Sequence, residues 1–346
     1  MQKVVGSSPI IRSLETRWKR RVFYSCERPA YPQKHRESGC SQEVSNRTKR
    51  ERWIREAIAI TDVITKEGGG RYLCPLCLEW FEDFGDLTLE HAPPESVGGR
   101  HIAITCRDCN NRAGHTVDHE IRRAETVLEF AEQRMTAPMA ASFRFGGVEQ
   151  RGEAIFGPDG RLRLGGIPRQ NRPENTAALT AAFEEAVAAS EPGEWTLELS
   201  FRPPDFRRAS VGWLRVGYLV AFAMLGYAYI LRDELDPVRD QIRAPDETVL
   251  TRYCMRTPSS RPDRIVSFIK RPAEFDSILV QASNAAVLLP SDRVPGTYDR
   301  LAAIEPWPPG ERTLSGTTLP WPTKPVYALD RLWVERIAAA TSPGSR

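Results

Sequence analysis

Two cysteine pairs, Cys74-x-x-Cys77 and Cys106-x-x-Cys109, hold four of the seven cysteines of this 346-residue chain. Each CxxC turn presents two thiolates at the spacing of a chelate, and two such turns are the ligand set of a closed, structural Zn²⁺ site. Binding of that kind contributes about 10–16 kcal/mol to folding, enough to order a segment with little core of its own. Cys26, Cys40 and Cys254 are left over and read as free thiols. The 28 residues between the pairs are more than a zinc ribbon or finger usually needs, and they carry Glu90-His91 and His101. Four of the five histidines fall between positions 91 and 119. A neutral imidazole near pH 7 can take a proton from water, and a carboxylate beside it can hold a divalent cation. Taken singly, each histidine is more often a surface or satisfied core residue. Their concentration inside a metal-ligand frame is what favours chemistry, and the chemistry such a set suits is metal-assisted hydrolysis.

The elements that must position these residues can be read from the same stretch. LTLEH and HIAIT look like strands, joined by a connector rich in proline and glycine, and CRDCNNRAG opens like the first turn of a helix. On a strand, successive side chains point to opposite faces, so Glu90 and His91 address different partners. VDHEIRRAETVLEFAEQRM then continues as an amphipathic helix with Ile121, Ala124, Val127, Leu128 and Ala131 on one side. The order is strand, loop, strand, helix, stapled by the two cysteine pairs, and it predicts a compact module over residues 68–138.

This combination resembles the HNH nuclease domain, the ββα-metal fold, in the variant whose core is stapled by two CxxC pairs. The resemblance rests on CPLC, on Glu90-His91 with Pro93-Pro94 and Gly98-Gly99, and on CRDCNN with Gly114 and Asp118, and it covers about residues 70–120. It implies an endonuclease acting on DNA, with His91 as general base. Glu90 and Asn110 are implied as ligands of a catalytic Mg²⁺ or Mn²⁺, beside the structural Zn²⁺ on the four cysteines. The family's middle asparagine is His101 here, nine residues before Asn110; an imidazole at that place is expected to position the loop or His91 by hydrogen bonding. The position four after Asn110 is Gly114, so His115 is the nearest further ligand candidate, and His115 with His119 has the i, i+4 spacing of a helical metal pair. Arg100, Arg107, Arg112, Lys49 and Arg50 are candidate phosphate contacts, against the default of solvated surface charge. The alternative reading is a zinc-stabilised nucleic-acid-binding module without catalysis, which the histidine at position 101 favours.

The remainder predicts an α+β chain. Residues 1–66 hold 15 Lys+Arg against 7 Asp+Glu, whereas the whole chain carries only +3, so a basic arm precedes the module and suits a polyanionic partner. Within it, Trp53, Ile54, Ala57, Ile60 and Val63 repeat at helical spacing after a possible cap at Ser45 or Asn46, and Gly68 to Gly70 end the helix. Between Tyr24 and Gly39 prolines and charges predict a mobile loop. Residues 139–346 read as one α+β domain, a place for a protein partner or trigger ligand. ASFRF, EAIF and RLRL are its first strands, the last two joined by a Pro158-Asp159-Gly160 turn. NTAALTAAFEEAVAAS is a helix, TLELSF a strand, and RIVSFIK, SILVQ and AAVLLP further strands. VGYLVAFAMLGYAYIL has 16 uncharged residues between Arg215 and Arg232, shorter than the roughly 20 a membrane span needs, and predicts a buried core helix. In the tail, Pro306, Pro308, Pro309, Pro320, Pro322 and Pro325 favour extended, irregular structure. No secretory signal is evident at the N-terminus, and paired CxxC units suit a reducing compartment, so a cytoplasmic location is expected. A nuclease module fused to a further domain is also the architecture of bacterial antiviral defence and restriction components, an analogy of organisation only.

Overall fold

The computed structural model describes residues 39–132, 138–157, 161–188, 198–256, 264–282, 285–305 and 313–341. The basic segment before residue 39, with Cys26, the loop expected over 24–39, the Pro158-Asp159-Gly160 turn, and Pro306, Pro308 and Pro309 lie outside the described residues. The side chain of Cys40 does too.

The described residues fall into two compact units, one spanning 123–204 and the other combining the residues up to 122 with those from 205 onward. Residues 139–346, expected as one domain, are thus distributed over both. The larger unit begins with α1 (Gly39–Thr65), which starts before the expected cap and buries Trp53, Ile54, Ala57 and Thr61 along one face. Two short strands, β1 (Tyr72–Leu73) and β2 (Trp80–Phe81), pair around the first CxxC turn. Then come the hairpin strands β3 (Leu87–Ala92) and β4 (Arg100–Cys106), followed by α2 (Arg107–Ala113), one π-helical turn over Gly114–Asp118, and α3 (His119–Ala131). The strand, loop, strand, helix order read from the sequence is present.

The smaller unit is an antiparallel sheet of β5 (Met139–Phe145), β6 (Val148–Phe156), β7 (Leu162–Gly166) and β8 (Glu198–Ser200) in the order β7-β6-β5-β8, with α4 (Pro173–Ala188). Its strands alternate buried and exposed positions, and Phe143, Phe145, Phe156, Leu164 and Phe183 form its core.

Returning to the larger unit, α5 (Phe206–Leu225) starts at Asp205, whose carboxylate accepts from the backbone N–H of Arg207 and Arg208, and continues after Gly226 as α6 (Tyr227–Ile230). Every residue from Val211 to Leu225 is buried, as expected of a core helix, and among the described residues no helix is long and apolar enough to cross a membrane. After α7 (Asp236–Arg243), β9 (Cys254–Arg256), β10 (Ile265–Arg271), β11 (Ser277–Ala282) and β12 (Ala285–Pro290) join an antiparallel sheet, and α8 (Thr297–Ala303) follows. β13 (Ser315–Pro320) is the sheet's edge, in the order β13-β10-β11-β12-β9. The chain closes with α9 (Ala328–Thr341). In the proline-rich stretch the described residues are extended, as β13 and the irregular 321–327, and α9 begins beyond its last proline. One core cluster joins Trp53 of α1, Leu87 and Ile104 of the hairpin, Phe222 of α5 and Val287 of β12.

Candidate active site

The four cysteines come together as the spacing predicts. Their sulfur atoms all lie within 4.8 Å of one another, and Cys77 Sγ is 3.9 Å from Cys106 Sγ. Zinc–sulfur bonds of about 2.3 Å in a tetrahedron place sulfurs about 3.8 Å apart, so the donor set fits Zn²⁺. Backbone amides support the thiolates: Cys106 N–H donates to Cys74 Sγ and Cys109 N–H to Cys106 Sγ, each at 3.4 Å. The knot is also fastened from the far end of the chain. The Tyr218 hydroxyl donates to the Pro75 carbonyl at 2.6 Å, the Tyr227 hydroxyl to the Leu73 carbonyl at 2.8 Å, and Arg243 Nη2 to the Cys77 carbonyl at 3.3 Å.

From this clasp rises the β3–β4 hairpin. Leu87 pairs with Cys106 and Glu90 with Ala103; the register then shifts, and His91 pairs with His101. A bulge of this kind re-aims the side chains beside it. Glu90 turns into the interior, while His91 stays half-buried at the open end, its ring centroid 4.0 Å from that of His101. The loop between the strands is drawn tight at Gly99, where a Cβ would stand 1.5 Å from the Pro93 carbonyl oxygen. Burial, the neighbouring His91 and the positive Lys49 hold the His101 imidazole down at about 4, with Glu95 pulling the other way. His101 is therefore a neutral ring at pH 7.

Glu90 and Asn110, expected as ligands of a catalytic divalent ion, both have partners within the chain. The Glu90 side chain is 2% exposed. Its Oε1 lies 2.8 Å from Arg215 Nη2, and its Oε2 accepts from Thr105 Oγ1 at 2.9 Å. Asn110 Nδ2 donates to Thr88 Oγ1 at 3.0 Å. Among the described residues, the four cysteines are the only group of three or more His, Cys, Asp or Glu side chains gathered closely enough to hold a metal. The Arg215 guanidinium supplies the counter-charge of the Glu90 carboxylate. His115 is exposed, and it lies within the π turn over Gly114–Asp118, which departs from the α-helical spacing to His119. His119 Nε2 instead lies 2.8 Å from Glu120 Oε1.

The basic candidates separate by position. Lys49 faces His101 and lies 5.7 Å from the centre of the Trp53 ring. Arg50 Nη1 donates to the Leu87 carbonyl at 3.3 Å, and Arg107 Nη2 to the Gly85 carbonyl at 2.7 Å. Arg100 and Arg112 are exposed. Sequence reasoning missed Arg264, whose Nη2 donates to the Gly98 carbonyl at 2.7 Å in the loop that links the two histidines. Burial and the charge of Arg100 pull the Arg264 guanidinium below its ordinary value. It also missed Arg215. A signal was available: an arginine that directly precedes a 16-residue uncharged run in a buried helix needs a counter-charge.

Residues 74–125 match the family model described as HNH endonuclease. The match begins at Cys74 and takes in the clasp, both hairpin strands, α2, the π turn and the first half of α3. No curated protein and no solved structure matches the chain.

Proposed function

We propose that the protein is an endonuclease that hydrolyses phosphodiester bonds of DNA, with His91 as general base and His101 as its positioning neighbour. The observation that carries this reading is the His91–His101 pair at the open end of a zinc-clasped hairpin, inside the segment that matches the HNH endonuclease family. His91 accepts a proton from water, the water oxygen bonds to phosphorus, and the bond from phosphorus to the departing sugar oxygen breaks, that oxygen leaving with a proton taken from solvent. His101, neutral at pH 7, orients the His91 ring without adding a like charge beside it. Lys49, Arg100 and Arg264 supply positive charge around the same loop for the phosphate backbone. The test is plasmid cleavage by the full chain with Mg²⁺ or Mn²⁺, beside His91→Ala. Nicking or linearisation that disappears in a variant with an unchanged melting temperature supports the assignment; a full-rate His91→Ala removes it.

A second reading is favoured by one observation, the Arg215 guanidinium already seated on Glu90. It is a zinc-stabilised nucleic-acid-binding module that does not cut. Retention of plasmid without cleavage by the folded, zinc-loaded protein would select it.

A further inference from the structure

We infer that the guanidinium of Arg215 is the resident cation of the pocket formed by Glu90 and Asp118, so that α5, outside the segment matching the nuclease family, fills the ground a divalent ion would otherwise take. Three parts of the chain meet there. Glu90 comes from β3, Asp118 from the end of the π turn, and Arg215 from the middle of α5. Arg215 Nη2 is 2.8 Å from Glu90 Oε1, and Nη1 donates to Asp118 Oδ1 at 3.4 Å. Arg215 is 1% exposed and Asp118 17%. A planar guanidinium can serve two carboxylates at once through a fixed fork of donors, which an ammonium cannot do in the same geometry.

The helix is shaped to deliver this charge. Gly212, one turn before Arg215 on the same face, lies where a Cβ would come within 2.7 Å of Ile121 Cδ1 and 3.2 Å of the Val117 carbonyl oxygen. The glycine eases the close approach of α5 to the π turn and the start of α3. Burial pulls Arg215 toward deprotonation, and Glu90 and Asp118 more than offset it, so the guanidinium is held above its ordinary value. Asp118 is pushed up by burial in spite of Arg215, with Glu90 adding to the push. One positive charge is thus shared by two carboxylates; neither Arg215 Nε nor Nη2 makes a hydrogen bond among the described residues, so Nη2 meets Glu90 as an ion pair. Without Arg215, the buried Glu90 and the half-buried Asp118 would be left without their shared counter-charge, an arrangement that recruits a divalent ion.

The inference concerns occupancy and stands apart from whether the protein cuts DNA, so its test reads binding. The full chain, loaded with zinc, is titrated with Mn²⁺ and bound ion is followed by electron paramagnetic resonance. Wild type should show no Glu90-dependent Mn²⁺ site. Arg215→Met should gain one Mn²⁺ per chain, about tenfold or more tighter than any wild-type binding, and Arg215→Met with Glu90→Gln should lose it. A folded Arg215→Met that binds no more Mn²⁺ than wild type overturns the inference. Should Arg215→Met fail to fold, wild type against Glu90→Gln decides: a tight wild-type site lost in Glu90→Gln overturns it, and the same weak binding in both supports it.

Discussion

Replacing Cys106 by serine removes one thiolate from the clasp, and its effect can be worked from the way the core is shared. A structural zinc of this kind contributes about 10–16 kcal/mol, and the net stability of a whole domain is about 5–15 kcal/mol. Losing even half of the zinc term would therefore consume most of the stability of any unit built on it. The unit built on it is large. Cys74 and Cys106 belong to the same buried cluster as Trp53, Leu87, Ile104, Tyr218, Phe222 and Val287. The hydroxyls of Tyr218 and Tyr227 are spent on the carbonyls of Pro75 and Leu73, each bond worth about 1 kcal/mol while the turn keeps its shape. Melting should thus spread from the hairpin into α5 and the β9–β13 sheet. The smaller sheet has its own core of Phe143, Phe145, Phe156 and Leu164, and should be spared. Hydrogen exchange read by mass spectrometry separates the two. In Cys106→Ser, amides of β3, β4, α5 and β10–β12 should lose protection together with zinc, while β5–β7 keep theirs. Wild-type protection in α5 of a zinc-free variant would refute the shared-core reasoning, and unchanged zinc stoichiometry would sink the four-thiolate assignment.

Two further outcomes are expected. His101 titrates at about 4 in the folded chain against about 6.5 unfolded, so the folded state prefers the neutral ring and its contribution is intact above pH 6.5 and lost as pH falls toward 4. The shift alone would be worth about 3 kcal/mol, and solvent screening of a half-exposed ring cuts this to about 1–2 kcal/mol; urea melts of wild type and His101→Gln at pH 7 and 4.5 check it, and equal acid sensitivity in both would refute it. Charge reversal at Arg47 and Arg55 on exposed α1 should lower the slope of log affinity for duplex DNA against log salt by about two. An unchanged slope would mean that this helix face carries only solvated charge.

The clasp was legible in the sequence because zinc ligation is local: two turns of four residues fix four sulfurs whatever surrounds them. The hairpin and its paired histidines were legible for a related reason, since LTLEH and HIAIT carry their strand pattern within a few residues. What was hidden depends on contacts between distant segments. Asp330 illustrates this. Read in sequence it is one acidic residue in the last helix, yet its carboxylate accepts the N–H groups of Tyr227 and Ala228, about a hundred residues earlier, and so starts α6. Burial pushes that carboxyl up to about 6. The proline-rich stretch reads locally too: prolines forbid helix only at and just before themselves, so β13 is extended and α9 begins after Pro325. The division of residues 139–341 over both units is not local, because a change in texture marks a change of secondary structure, whereas membership of a core is decided by which apolar faces meet.

The buried charges make the same argument at the site itself. The family match ends at residue 125, but the hairpin it covers cannot be a finished interior on those residues alone. Glu90 is buried and charged, and an unpaired carboxylate in that setting costs several kcal/mol. Its counter-charge lies 125 positions away on α5, and the apolar cover of the hairpin comes from Trp53 and Ile54 on one side of the match and Leu214 and Tyr218 on the other. A helix whose buried face is apolar apart from one arginine is therefore not generic scaffold: α5 is shaped to a specific carboxylate. The 205–341 region thus shares the interior of the module that matches the HNH family, and any change there that shifts α5 by a fraction of a turn moves the counter-charge of Glu90, one residue from His91.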